Sequence, residues 1–365
     1  MTPPSVALVH DFLLVMRGAE RSFAAMAGCW TEAPIYTLLY DERGTERTFA
    51  GRCMKTSPLQ RLPVRQAGFR RLLPLFPSAV ERLPISGYEV VISSSSAFAH
   101  GIRPGPTATH VCYCHTPFRY SWHERDETVE RAPAALRPAL RATLDRIRRW
   151  DLEASGRVTH YVTNSELSRR RIQDYYGRNS TIIHPPVEVE RFTIGQPEDF
   201  FLVVTELVHH KRVRNALEAA RLADQRIKVV GGGPAARQLA RDYGASAEFL
   251  GRVSDEELAA LYRRARALVV PNVEEFGIAA VEAQASGRPV LAAADGGVRE
   301  TVIDGETGVL VVPEDVDALA EAMRGTDWDG FDPHRIHRHA QSFSTAEFQR
   351  RFRDEVDRLR QQPHS

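Results

Sequence analysis

The sequence predicts an α/β protein: two doubly wound, Rossmann-like domains, each on a parallel sheet, facing a cleft. Three observations carry this. At 365 residues the chain is too long for one ordinary core and fits two domains of ~100–200 residues. Short, continuously apolar runs rich in β-branched residues alternate with longer helical patterns, which means strands covered on both faces. The alternation happens twice, with a break over Pro185–Asp199, where Pro185, Pro186, Gly195 and Pro197 supply linker chemistry.

In the first half the strands are expected at Ser5–His10, Pro34–Leu39, Glu89–Ser93, Thr109–Cys114, Val158–Val162 and Thr181–Ile183. In the second half they fall at Phe200–Thr205, Arg226–Val230, Glu248–Leu250, Ala267–Val270, Pro289–Ala292 and Val309–Val312. Helical spacing marks Ala19–Ala27, Pro133–Ala154, Ser165–Tyr176, Arg214–Ala223, Asp255–Ala265 and Ala279–Ala285. Ligands of such sheets bind outside the carboxyl ends of the strands.

Charge is balanced, with 48 Lys and Arg against 47 Asp and Glu, a net of +1. That argues against a dedicated nucleic-acid binder. No apolar run of about 18 residues exists to span a membrane. The start, Met1-Thr2-Pro3-Pro4, leads directly into a strand and reads as no secretion signal, so a cytoplasmic location is expected. The four cysteines, 29, 53, 112 and 114, form no framework and are expected as free, buried thiols. Thr56–Arg82 interleaves Arg61, Arg65, Arg70 and Arg71 with Leu62, Val64, Phe69, Leu72, Leu73, Leu75 and Phe76. It reads first as an amphipathic cover on the first sheet. The alternative is a peripheral contact of Arg61–Arg82 with anionic lipid at the inner membrane face.

The sharpest chemical signal follows the strand Ala267–Val270. Phe276-Gly277-Ile278 forms a tight loop opening a helix, with Glu274 in the loop and Glu282 within the helix. Free backbone N–H groups and the helix dipole suit an anion or sugar hydroxyls. A carboxylate accepts two hydroxyl hydrogen bonds, so each Glu suits a polyol. Helix capping and a solvated Glu282 explain the same residues equally well.

Together with its surroundings, the stretch from Glu274 to Glu282 resembles the E-x7-E signature of retaining nucleotide-sugar glycosyltransferases of the GT-B fold, family 4. Ala285-Ser-Gly-Arg-Pro-Val290 and Gly296-Gly-Val-Arg-Glu-Thr-Val302 continue the pattern. Val9-His10-Asp11, Gly18-Ala19-Glu20-Arg21, Cys112-Tyr113-Cys114-His115-Thr116-Pro117, Asn164-Ser165 and Phe249-Leu250-Gly251-Arg252-Val253 extend it along nearly the whole chain. The match is most similar to bacterial mannosyltransferases of surface-polysaccharide assembly.

The resemblance implies roles. Glu274 would bind donor-sugar hydroxyls and Glu282 the ribose. The backbone of Phe276, Gly277 and Ile278 would face sugar and phosphates. Gly232 lies in the Gly231-Gly232-Gly233-Pro234 turn beside the diphosphate, and Arg252 and Val253 flank the base. His115 would contact the donor sugar near the anomeric carbon. His10, Asp11 and Asn164 would belong to the acceptor side. Lys211 would hold the diphosphate, where fixed positive charge lowers the barrier to its departure. The family pairs that Lys with an Arg five positions earlier, but here Glu206 stands there. Arg17-Gly18 replaces the family's Gly-Gly. Arg17 is therefore expected to supply part of the missing charge. The bland reading has Glu206 paired with Arg212 or Arg214.

Gly231-Gly-Gly-Pro-Ala-Ala236 also fits a dinucleotide fingerprint, but it follows the second strand of its domain rather than the first. Asp327-Trp328-Asp329 matches a D-x-D metal motif, yet its polar Gly/Asp setting reads as a turn and helix cap. No obligatory metal or other cofactor is expected.

The resemblance thus implies a retaining hexosyltransferase, with GDP-mannose as the leading donor and UDP- or dTDP-sugars as alternatives. The acceptor would be a hydroxyl of a glycan, a lipid-linked sugar or a small natural product. Residues 1–190 would bind acceptor and 191–345 the donor. A helix over 346–365 would return to the first domain. A sugar-nucleotide epimerase or dehydrogenase, and a degenerate binding protein, are the rival readings.

Overall fold

A computed structural model describes residues 5–62 and 68–361. Two units result: residues 1–184 with 348–365, and residues 185–347. Val64 and Arg65 of the basic stretch lie outside the described residues.

Unit 1 holds a fully parallel seven-stranded sheet. Its strands are β1 (Val6–Leu13), β2 (Ile35–Tyr40), β3 (Met54–Thr56), β4 (Val90–Ser95), β5 (Thr109–Cys114), β6 (His160–Thr163) and β7 (Ser180–Ile182). Their order is β3-β2-β1-β4-β5-β6-β7. All residues of β4 and β5 are buried, as continuous apolar runs require when helices cover both faces. The order reverses between β1 and β4, where His10 lies in register with Ser94. Such a switch point opens a crevice at the carboxyl ends of the strands.

Unit 2 holds a parallel six-stranded sheet of β8 (Phe201–Val204), β9 (Ile227–Val230), β10 (Ala247–Gly251), β11 (Ala267–Val270), β12 (Val290–Ala293) and β13 (Gly308–Val311). The order is β10-β9-β8-β11-β12-β13, so its switch point lies between β8 and β11. The loop after β8 carries Lys211 and the loop after β11 carries Glu274.

Local chemistry sets the helix ends. Ser165 accepts from the Ser168 N–H and starts Glu166–Tyr176, which stops at Gly177 with φ 64°. Ser254 accepts from Glu257 N–H before Asp255–Arg264, and Asp315 from Ala318 N–H before Val316–Gly325. Asp327 closes the 3-10 turn Trp328–Gly330 by accepting from Gly330 N–H. The helix Thr345–Arg360 puts Phe348, Phe352, Val356 and Leu359 on one face. These four pack with Leu8, Phe23, Met26 and Tyr113 of unit 1.

Three expectations need correction. The helix expected from Pro133 begins at Arg137, after a 3-10 turn at Ala134–Leu136; Pro138 takes the first turn of the helix, where its missing N–H costs nothing. The edge strand β3 was not expected, because three residues carry no periodicity. The thiols are all free, but only Cys112 and Cys114 are fully buried, while Cys53 is exposed. The basic stretch forms 3-10 turns at Pro58–Arg61 and Phe69–Leu75 and a short helix at Phe76–Glu81. Phe76, Ala79 and Val80 enter the core, and Phe69, Leu72 and Leu73 pack against it. No helix of the described residues is long and apolar enough to cross a membrane.

Candidate functional site

At the switch point of unit 2 the geometry gathers charge. The Lys211 ammonium donates to both carboxylate oxygens of Glu274, at 2.7 and 2.6 Å. Their side chains are 20% and 18% exposed, so the pair stays reachable by a ligand. Glu274 is held by its backbone: its carbonyl accepts from Gly297 N–H at 2.7 Å. Gly297 leaves no room for a side chain, since an added Cβ would lie 2.3 Å from the carbonyl oxygen of Glu275. The helix Ile278–Ala285 starts at Gly277 with φ 93°, a conformation that favours glycine. The first N–H groups of such a helix have no intrahelical acceptor. Glu282 stands one turn in, and its Oε2 accepts from the Tyr262 hydroxyl at 2.8 Å. Burial, then the Glu282 charge, push the Tyr262 phenol well above its ordinary range, so it remains a donor.

The glycine loop packs against the loop after β8. Gly231 N–H donates to Gly251 O, and Leu207 N–H to Gly232 O at 3.0 Å. A Cβ at Gly231 would sit 1.8 Å from Thr205 O. A Cβ at Gly233 would sit 2.5 Å from Leu207 O, so Gly231 and Gly233 are demanded by backbone contact with the β8 loop, rather than by a cofactor after a first strand. Arg252 is exposed over Gly232, and Val253 packs on the core. The bland partners expected for Glu206 are engaged elsewhere: Arg212 pairs with Glu314 and Arg214 with Asp242.

In unit 1 the switch point holds a buried polar chain. Ser94 Oγ lies 3.1 Å from His10 Nδ1 and 2.9 Å from His115 Nε2. His10 Nε2 faces Glu20 Oε1 at 4.0 Å, and Glu20 accepts from Arg17 N–H at 3.1 Å. Arg17 is exposed and Gly18 starts the helix Gly18–Cys29. Burial, then the neighbouring His10, push the His115 imidazole down to about 3, so it is neutral. Asp11 spends its carboxylate on the backbone N–H groups of Ser96, Phe98 and Ala99, at 2.6, 2.7 and 2.6 Å. It fixes the loop after β4. Asn164 follows β6, buried, its Oδ1 accepting from the Ser165 hydroxyl.

The sequence reading missed Ser94, Tyr262 and a buried contact between His100 and Asp151. Asp151 accepts from Trp122 and Tyr176, each at 2.7 Å, and faces His100 Nε2 at 3.2 Å. Among the described residues no group of three His, Cys, Asp or Glu is arranged to hold a metal ion.

Two family models tile the chain. Residues 16–191 match "Glycosyltransferase Family 4" and residues 187–336 match "Glycosyl transferases group 1". Each unit thus matches a glycosyltransferase family model. The GT-B fold recurs in solved structures that cover nearly the whole chain. HepE of Anabaena, solved with UDP and glucose, covers 97% of this chain and 100% of its own at TM-score 0.69 and 16% identity. AviGT4, involved in avilamycin A biosynthesis, covers 98% of both chains at TM-score 0.60 and 18% identity. A D-inositol 3-phosphate glycosyltransferase of Mycobacterium sp. (strain KMS) is 34% identical over 189 residues, 44% of this chain and 43% of that protein. The Geodermatophilus obscurus protein of the same name is 37% identical over 198 residues, 45% and 44%. The matches thus span less than half the length of these curated relatives.

Proposed function

We propose that this GT-B chain transfers a hexosyl group, with retention, from a nucleoside-diphosphate sugar to an acceptor hydroxyl. The Lys211–Glu274 pair at the unit 2 switch point carries the reading. Lys211 meets the diphosphate and Glu274 the sugar hydroxyls, each giving up the other when donor binds. The helix N-terminus at Ile278 adds N–H groups, and Glu282, oriented by Tyr262, takes the ribose. The bond from the anomeric carbon to the phosphate oxygen breaks. The acceptor oxygen bonds the same face and its proton passes to the departing phosphate oxygen. With Lys211 and the helix dipole supplying positive charge, an obligatory metal is not part of the scheme.

Mannose on GDP is the donor the sequence resemblance favours. A UDP-hexose is the second reading, supported by the UDP, glucose and UDP-glucose complexes of the HepE neighbour. The acceptor is assigned to unit 1, as a glycan, lipid-linked or small-molecule hydroxyl. Peripheral membrane contact through Arg61–Arg82 fits the lipid-linked case.

A thermal-shift screen with GDP, UDP, dTDP and ADP tests the donor site. A ligand at about 100 times its Kd stabilises by ~2.7 kcal/mol. A shift with one of the four is expected, and a flat result with all of them removes the donor-site assignment.

A further inference from the structure

We propose that Ser94 is a positioning residue: its hydroxyl holds His115 as the Nε2–H tautomer and leaves Nδ1 as a bare acceptor for a ligand hydroxyl. The ligand half of this rests on the glycosyltransfer reading; the tautomer half does not.

Ser94 is fully buried and its hydroxyl contacts two imidazoles, His10 Nδ1 at 3.1 Å and His115 Nε2 at 2.9 Å. A hydroxyl has one proton. It donates to one ring nitrogen and must accept from the other. The direction is set at the far end of the chain. His10 Nε2 points at Glu20 Oε1 from 4.0 Å, and a carboxylate attracts an N–H and repels a lone pair. Neutral His10 then carries its proton on Nε2 and a lone pair on Nδ1. Ser94 donates to that lone pair, so Ser94 Oγ accepts from His115, whose proton is fixed on Nε2.

Aromatic neighbours pack against both rings. His10 stacks on Phe23 with centroids 4.8 Å apart at 21°, and His115 meets the Tyr113 ring edge-on at 5.0 Å. Among the described residues, no group hydrogen-bonds His115 Nδ1. Burial favours the neutral form of His115. A protonated His10 would reverse every bond, donating from Nδ1 and leaving His115 with its proton on Nδ1. The consequence for chemistry is definite. His115 in the proposed order accepts from a hydroxyl and donates nothing to the reaction.

The test is nitrogen-15 NMR of the full chain labelled at its 13 histidines, with His115 assigned by its loss in His115→Gln. A pure Nε2–H pattern is expected in the wild type. Glu20→Gln and Ser94→Ala should both move it toward a mixture, and Ser94→Thr, which keeps the hydroxyl, should restore it. An Nδ1–H pattern or an even mixture in the wild type overturns the proposal, as does a pure Nε2–H pattern in Ser94→Ala. Should Ser94→Ala not fold, the wild type and Glu20→Gln decide. On activity, Ser94→Ala should lower kcat/KM about tenfold, the scale of one misdirected hydrogen bond, with nucleoside-diphosphate affinity unchanged. If the donor reading fails, no nucleoside diphosphate binds while the tautomer pattern stays.

Discussion

The Lys211 ammonium bridges both carboxylate oxygens of Glu274 across 63 positions of sequence. Each group neutralises the other in a half-buried site. In the proposed donor site, a ligand phosphate competes with Glu274 for Lys211. Replacing Glu274 with Ala frees the cation. Affinity for the bare nucleoside diphosphate should rise about fivefold, since the pair is worth roughly 1 kcal/mol. Sugar transfer should fall sharply in the same variant. Calorimetry and a transfer assay measure the two effects.

Tyr262 makes one hydrogen bond to Glu282, at 2.8 Å. In Tyr262→Phe the ring stays and the orienting donor goes. Stability should drop by about 1 kcal/mol. If Glu282 holds the ribose, KM for the donor rises more than kcat falls. An unchanged KM would detach Glu282 from that role.

Asp11 holds three backbone N–H groups with one carboxylate. Asp11→Asn turns one acceptor oxygen into a donor facing N–H groups. The cost should be about 3 kcal/mol, read by urea denaturation. A neutral result would mean the loop after β4 is held otherwise.

Acid should weaken unit 1 through His110 and His115. Burial first, then His100 beside His110 and His10 beside His115, push both imidazoles down to about 3. Unfolded, each titrates near ~6.5. Their contribution is whole above that value. As pH falls toward 3 the unfolded chain binds protons the folded one refuses, at about 1.4 kcal/mol per pH unit for each. His100 runs the other way. Burial opposes its charge, but Asp151 overcomes that and raises it, so its contribution is whole below ~6.5 and is lost as pH rises through the folded value. Denaturant midpoints across pH 4–8 should fall on the acid side in the wild type and less so in His110→Gln.

Backbone space makes a sharper contrast. Gly231, at φ 132°, would place a Cβ 1.8 Å from Thr205 O, while Gly251, at φ 69°, has open space. Gly231→Ala should cost about 3 kcal/mol or more, and Gly251→Ala only about 1, the left-handed strain alone.

Strands were legible because burial on both faces leaves continuous apolar runs, as in Thr109–Cys114, where expected and observed bounds coincide. β3 was not, being three residues whose pairing to β2 is decided by the neighbouring strand. Glu274 and Lys211 could be singled out by motif, but their mutual contact could not, because no local spacing encodes a pair 63 residues apart. Ser94 left no signal. It sits in Ser93-Ser94-Ser95-Ser96, where only register with His10 distinguishes one serine from the next. Asp11 was read as an acceptor ligand, yet its oxygens hold backbone amides that sequence does not display.

The proposed donor site at Lys211 is tested most directly by calorimetric titration of GDP and UDP into the wild type and Lys211→Ala. One nucleotide should bind the wild type and bind the variant at least about tenfold more weakly, the loss of a charge-assisted contact to phosphate. Equal affinity in the two proteins, or no binding by either nucleotide, would contradict the placement of the diphosphate at Lys211.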